Sequence, residues 1–334
     1  MSADRVPAKP TAGISRRAIL PLAAAGLALR SRPARAAWPE RPVEIIVPFA
    51  PGGGVDMTAR ITARFLEKHT GGKTFVVVNR AGAGGEIGWA TVADSRPDGH
   101  TLALLNAPNI MAIPIERRAR FTLDSFALVA ALVDDPVTIS VHAESPYRTM
   151  ADLVAAMRAK PGQLTYGTAG IAAVGHIAFL TLARATGVSA VHVPFQGAAQ
   201  VAPALLGRQI DIATTTVAET IQFMGSGSAW RVLGVMSPQR LEALPDLPTM
   251  RELGIPAEMG SIRGLGAPRA TPPAVLTEIS AAVDRAARDP EYQAALRQAS
   301  LPARYLPSQG YASLLATMNS ELQALWQTNP WRQQ

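Results

Sequence analysis

The chain has 334 residues, 32 of them basic and 25 acidic, with a formal net charge of +7, five histidines and no cysteine. Without cysteine there is no disulfide, thiolate nucleophile or cysteine metal site. The histidines (His69, His100, His142, His176, His192) are scattered, with no two at ligand spacing on one helix, so neither a metal nor a cofactor is expected. The positive charge is no nucleic-acid signal: the first 36 residues carry seven of the basic residues and one acidic one, leaving 25 against 24 in the remainder.

Ser15-Arg16-Arg17-Ala18-Ile19-Leu20 has the pattern of a twin-arginine export leader, followed by an apolar stretch from Ile19 to Leu29 and a small-x-small site at Ala34-Arg35-Ala36. That stretch is far shorter than the about 20 residues needed to span a bilayer. The expected product is exported, cleaved near Ala36, and periplasmic.

The remaining residues exceed one ordinary core, so two lobes are expected. In chain order, the pattern predicts a strand at 43–47, a helix at 57–69, a strand at 74–79, a helix at 86–93 and a strand at 100–106. After Asp134-Asp135-Pro136 a second set begins with a strand at 137–142. Thr149 and Asp152 have capping-box spacing before the next helix. Strands at 164–168, 190–194, 209–213 and 231–236 then alternate with helices at 176–185, 198–206 and 217–224. Helices at 272–288 and 308–326 close the chain. Alternation of this kind argues an α/β fold with largely parallel strands.

Small-residue loops follow the strands in both sets. Pro48-Phe49-Ala50-Pro51-Gly52-Gly53-Gly54-Val55-Asp56 runs from a strand into a helix. It reads either as a turn that needs glycine or as a backbone cradle for a small anion at a helix N-terminus. Gly82 to Gly88 follows the next strand and looks like a relative of the dinucleotide fingerprint, without the expected acidic residue after the third strand. This keeps an exported nicotinamide-dependent oxidoreductase as an alternative. Gly72-Lys73-Thr74 is a poor phosphate-loop match, and Gly260 to Gly264 has the wrong spacing for a nucleophile elbow. Asn106 to Asn109, Gly167 to Gly170 and Thr214 to Thr216 complete the set. Two such groups of loops imply a cleft between lobes.

Eight stretches in order resemble the Bug-type periplasmic solute receptors of tripartite tricarboxylate transporters. These are 38–43, 46–56, 78–85, 97–102, Tyr166-Gly167-Thr168-Ala169-Gly170 with His176, Val191-His192-Val193-Pro194-Phe195-Gln196-Gly197-Ala198, 244–249 and 264–268. The resemblance implies a type II-like, Venus-flytrap binding protein with crossing hinge strands: lobe 1 from 37–138 and 260–334, lobe 2 from 139–259. It implies a non-catalytic, monomeric receptor that captures a small organic carboxylate. The receptor would deliver it to transporter subunits of that type or, alternatively, report to a sensor.

On that reading the ligand lies among Phe49, Gly52, Gly53, Gly54, Asp56, Asn106, Thr168, Ala169, Gly170, Ala173, His176, Gln196, Thr215 and Arg263. Asp56 and His176 each also have a structural reading at a helix start. The chain departs from the family at Ala172, Ala173, Gly175, Thr215, Arg263 and Glu86. Loss of an acid at Thr215 and gain of Arg263 suggest a pocket for a second anionic group, the alternative being an Arg263 that points to solvent.

Overall fold

The computed structural model describes Met1 and residues 38–225, 229–328 and 330–331; the twin-arginine pattern and cleavage site expected from the sequence lie outside these residues. Strand β1 (Val43–Val47) is flanked in parallel by β2 (Phe75–Asn79) and β3 (Thr101–Ala107). Helices α1 (Gly54–His69) and α2 (Glu86–Ala93) make the crossovers, and α3 (Asn109–Glu116) follows β3. Then comes β4 (Phe126–His142), a strand of 17 residues. It is mostly apolar, interrupted by Asp134-Asp135 near its centre, and buried along most of its length, as suits a strand covered on both faces.

The next set comprises α4 (Met150–Ala159), β5 (Thr165–Thr168), α5 (Val174–Thr186), β6 (Val191–Pro194), α6 (Ala198–Leu206), β7 (Ile212–Thr216), α7 (Val217–Met224) and β8 (Trp230–Val235). The chain returns through β9 (Gly260–Pro268), α8 (Pro273–Arg288), α9 (Pro290–Gln298), β10 (Ala303–Pro307) and α10 (Ser308–Thr328). The strand order β2-β1-β3-β9-β4-β7-β5-β6 joins two half-sheets through β4. From Phe126 to Pro136 β4 pairs antiparallel with β9, and from Val137 onward it pairs with β7 and β8. Pro136, which has no N–H to give to a ladder, sits where pairing with β9 ends.

Each half has its own buried apolar clusters. In the first half, Val43, Ile45, Leu102, Leu104 and Leu265 face α1 and α8, while Ile46, Ala103, Leu105 and Ile262 face α3 and α10. In the second, Val137, Ile139, Tyr166 and Ile212 pack with α4 and α5. Three buried apolar residues from the second half enter the clusters of the first: Ala172 and Ile177 lie with Ile110 and Ile113, and Ala218 with Val47. The loops of the two halves therefore meet on both sides of the crossing strands.

The expected α/β alternation is present, and so is the capping box of α4, where the Thr149 hydroxyl accepts the Asp152 N–H at 3.1 Å and the Asp152 carboxylate accepts the Thr149 N–H at 2.9 Å. Several expectations need correction. The strand expected at 137–142 is the end of the much longer β4. β7 does not stop at Ala213: Thr214, Thr215 and Thr216 are strand residues whose partners are Ile139, Thr138 and Val137. β-Branched residues suit a covered ladder, and a threonine run reads as loop only when that partner is unseen. Helix α5 begins at Val174, ahead of His176. Helices α3 and α9 and strands β9 and β10 lack a strong period; α3 carries Pro114, and β9 reads Gly-Ser-Ile-Arg-Gly-Leu-Gly-Ala-Pro.

Candidate functional site

The candidate loops stand at the C-terminal ends of the parallel strands, where open α/β sheets hold ligands. After β1 the chain turns at Gly52, whose φ of 90° requires glycine, and α1 begins at Gly54. Gly53 is the cap of α1 and no side chain bonds the helix's first amides. A Cβ added at Gly52 or Gly53 would meet nothing within 4 Å. An uncapped helix end with open backbone before it is an anion-binding arrangement. Helix α5 has the same feature: its cap is Ala173, with no side-chain bond to the helix amides.

Asp56 lies in the first turn of α1, buried, and its carboxylate is fully engaged. One oxygen accepts the Gly52 N–H at 3.0 Å and Arg60 Nε at 2.9 Å; the other accepts Arg60 Nη2 at 3.0 Å and Asn79 Nδ2 at 2.9 Å. Burial alone would raise its pKa, but these donors outweigh it and hold the carboxyl below the usual range. Asp56 thus fixes the glycine loop from behind. Because the Gly52 N–H is spent on it, the amides left to a ligand begin at Gly53. Phe49 packs edge-on to Trp89 at 5.9 Å, and its carbonyl accepts a second bond from Asn79 Nδ2 at 3.0 Å.

The Gly82–Gly88 loop is folded against the chain itself. A Cβ at Gly85 would lie 2.7 Å from the Trp89 ring, and one at Gly88 would lie 2.7 Å from Pro48 Cα. These glycines serve backbone-to-backbone and backbone-to-ring packing, and Glu86 is paired with Arg117 at 3.1 Å.

A connected polar cluster occupies the crossing strands. On β3, Asn106 Nδ2 donates to Asn109 Oδ1 at 3.1 Å, and Asn106 Oδ1 accepts the Ser261 hydroxyl of β9 at 2.5 Å. Arg263, two residues along β9, donates from Nε to Ser261 Oγ at 3.2 Å and from Nη2 to Asp135 of β4 at 2.7 Å. Asp135 also accepts the Ala218 N–H of α7 at 3.2 Å. Arg263 and Asp135 are 1% and 0% exposed, so the reading of Arg263 as a solvent-facing residue fails. Its Nη1 has no hydrogen-bond partner among the described residues. The guanidinium lies over Gly54, with Nη1 2.6 Å from where a Cβ would be, so a side chain there would displace the guanidinium. Thr215 is buried nearby, its hydroxyl 2.8 Å from that of Thr220, which also contacts Thr138 at 2.7 Å.

In the second half Thr168 is buried, its hydroxyl 2.7 Å from His192 Nε2, donating to the Gly170 carbonyl at 3.0 Å and accepting the Gly170 N–H at 3.2 Å. His176 stacks on His192 at 3.8 Å, and its Nδ1 accepts the Ala172 N–H at 3.2 Å. Burial pushes the His176 pKa down to about 3, with His192 adding to it, and pushes His192 down to about 4. Both rings are neutral and brace the Gly170–Ala173 loop. Ala169 and Gly170 are partly buried, whereas Gln196 is exposed, its N–H donating to Gln200 Oε1 at 3.0 Å.

Of the fourteen expected site residues, Gly54, Asn106 and Arg263 meet in one cluster with Thr215 nearby, and Thr168, Gly170, Ala173 and His176 form the facing loop. Gln196 stands apart. Asp135, Ser261 and Asn79 were not anticipated; Asp135 was read only as part of a boundary, and nothing in the local pattern marks Ser261.

Two α/β halves joined by shared strands, with loops meeting over the crossing, define a two-lobed periplasmic solute receptor. Residues 58–328 match the family described as tripartite tricarboxylate transporter family receptor, and the chain belongs to that family. It is 34% identical to a UPF0065 protein from the tcbD-tcbE intergenic region of Pseudomonas sp. strain P51, over 86% of each chain. Among solved structures it is similar to R. palustris Rpa4515 with adipate, at 28% identity and a TM-score of 0.81 over 87% of this chain and 98% of that one. It is also similar to MatC from Rhodopseudomonas palustris with bound malate, at 27% identity and a TM-score of 0.78 over 86% and 99%. Among the described residues no helix is long and apolar enough to cross a membrane.

Proposed function

We propose that this receptor captures a small organic carboxylate between its lobes and presents it to membrane subunits of a tripartite tricarboxylate-type transporter. The reading takes the first 36 residues as a cleaved twin-arginine leader, 37–138 with 260–334 as lobe 1, and 139–259 as lobe 2. The receptor acts as a monomer, by recognition without chemistry. The observation that carries it is the pair of helices, α1 and α5, whose N-terminal amides are capped by Gly53 and Ala173 and by no side chain. Charge-assisted bonds from such amides to a carboxylate are worth about 1.5–3 kcal/mol each. A ligand gripped by both loops favours the closed arrangement over the open one, which is the signal a transporter reads. The adipate and malate held by two relatives support the ligand class.

A thermal-shift screen of the mature protein against mono- and dicarboxylates tests the proposal. A ligand at 100 times its Kd adds about 2.7 kcal/mol of stability, a clear rise in Tm. No rise with any carboxylate would refute it.

A further inference from the structure

Arg263 is fully buried, yet one arm of its guanidinium has no partner among the described residues. Nε is bonded to Ser261 and Nη2 to Asp135, while Nη1 is unpaired and lies 2.6 Å from the position of a Cβ on Gly54, the first residue of α1. Leaving a buried guanidinium N–H pair unsatisfied is costly. Its surroundings make the cost larger. The cation sits beside the positive end of α1 and within the network that reaches the first turn of α7, and among the described residues its ion-pair partner is Asp135. Glu219, in that turn, accepts the Thr216 N–H at 3.0 Å, and burial raises its pKa against the opposing pull of Arg263. An arrangement of this kind calls for one more anionic group.

We infer that Arg263 Nη1 and the amides at the N-terminus of α1 take the same anionic group of the ligand, its carboxylate. This rests on the receptor reading and adds a residue to it: a side-chain cation joined to the backbone grip. The place of Nη1 against Gly54 assigns Arg263 to the group held by the helix end. The sequence suggested instead a second group elsewhere on the ligand. Asp135 acts on the far side of the guanidinium, turning Nη1 toward α1, and Gly54 provides the room for it.

Calorimetric titration of the mature protein tests this with propionate, adipate, malate, their carboxamide counterparts, inorganic sulfate and inorganic phosphate as probes. The variants are Arg263→Gln and the double variant Asp135→Asn/Arg263→Gln, which removes both members of the buried ion pair and so keeps the test valid should the single variant unfold. Loss of one charge-assisted bond predicts affinity weaker by about tenfold to hundredfold for every acid that the wild type binds, mono- and dicarboxylate alike. Carboxamides should lose little. Gly54→Ala, which displaces the guanidinium and keeps the charge, should reproduce the loss. Unchanged acid affinity in the double variant would overturn the inference and leave the receptor reading standing. A loss confined to dicarboxylates would overturn the shared group, and equal losses for acids and amides would reduce Arg263 to a structural role. Wild-type binding of sulfate or phosphate alone, abolished in the variants, would keep the anion site and sink the carboxylate reading. No binding of any probe would count against both.

Discussion

Replacing Asp56 by alanine isolates what holds the glycine loop in place. The carboxylate is 3% exposed and receives four hydrogen bonds from three donors. The bond from the Gly52 N–H is the largest loss, about 1.5–3 kcal/mol for a charged acceptor. Asn79 keeps a second acceptor in the Phe49 carbonyl, so its share is smaller, about 0.5 kcal/mol. The Arg60 side chain is 52% exposed, and an i,i+4 pair of that kind contributes only about 0.3–0.5 kcal/mol. Relief of the buried charge returns part of this, leaving a net loss of about 2–3 kcal/mol. At about 2–4 °C per kcal/mol, and toward the low end for a chain this long, Tm should fall by about 4–8 °C. The acid limb gives a second check. A carboxyl whose folded pKa lies below its unfolded value stabilises the protein above about pH 4, and this is lost as pH falls through the folded pKa. The gap in Tm between wild type and Asp56→Ala should therefore stay constant from pH 8 to about 5 and narrow below about 4. A variant whose Tm stays within about 1 °C of wild type at pH 7, or a gap that does not narrow in acid, would refute the assignment.

Three further outcomes follow from the same geometry. His176 is held neutral with a pKa of about 3, below its unfolded value of about 6.5, so its contribution is complete above that pH and declines as pH falls. At pH 5 the loss from this residue is about 2 kcal/mol; His176→Gln should flatten the slope of Tm between pH 7 and 5, and an imidazole resonance titrating near 6.5 would contradict the burial argument. Asp135→Ala strands the Arg263 guanidinium and should cost about 3–5 kcal/mol in chemical denaturation. The Asp135→Asn/Arg263→Gln pair should cost far less than the sum of the single changes, and additivity would mean that the two do not form one unit. Gly88→Ala puts a methyl against Pro48 Cα and 2.9 Å from the Arg80 carbonyl, both backbone, so it should cost about 1–3 kcal/mol, and a neutral melt would show that the loop has slack.

How much of this was legible depends on the range of the interaction. Local signals gave the correct elements: the 3.6 period of α1, the Thr149–Asp152 capping box and the apolar run of β1 each lie within a dozen residues. The glycine loop was legible as a strand-to-helix connection because the Gly52–Gly54 run is local, although the helix, expected from residue 57, begins at Gly54. What failed was non-local. The threonines of β7 look like a loop until Thr138, 77 residues away, gives Thr215 a ladder partner. Strand β9 has three glycines and an arginine in nine residues, and becomes a strand because β3 and β4 flank it.

Arg263 shows the same limit at the site itself. Its type could be read as a departure from the family, but its environment could not. Asp135, the partner that sets the guanidinium's direction, is 128 residues earlier, and Gly54, which makes space for it, lies in the first helix. A sequence reading that treats the residue alone sees a free cation and assigns it a free anion. Pairing with Asp135 removes one nitrogen from that role, Ser261 removes another, and Gly54 fixes where the third can act. The crossing strands bring these residues together, so the geometry that joins the lobes also decides which ligand group the arginine can reach. A change at Asp135 should therefore alter both stability and affinity for acids as a class, whereas a change at Asp56 should alter chiefly the loop that the arginine faces.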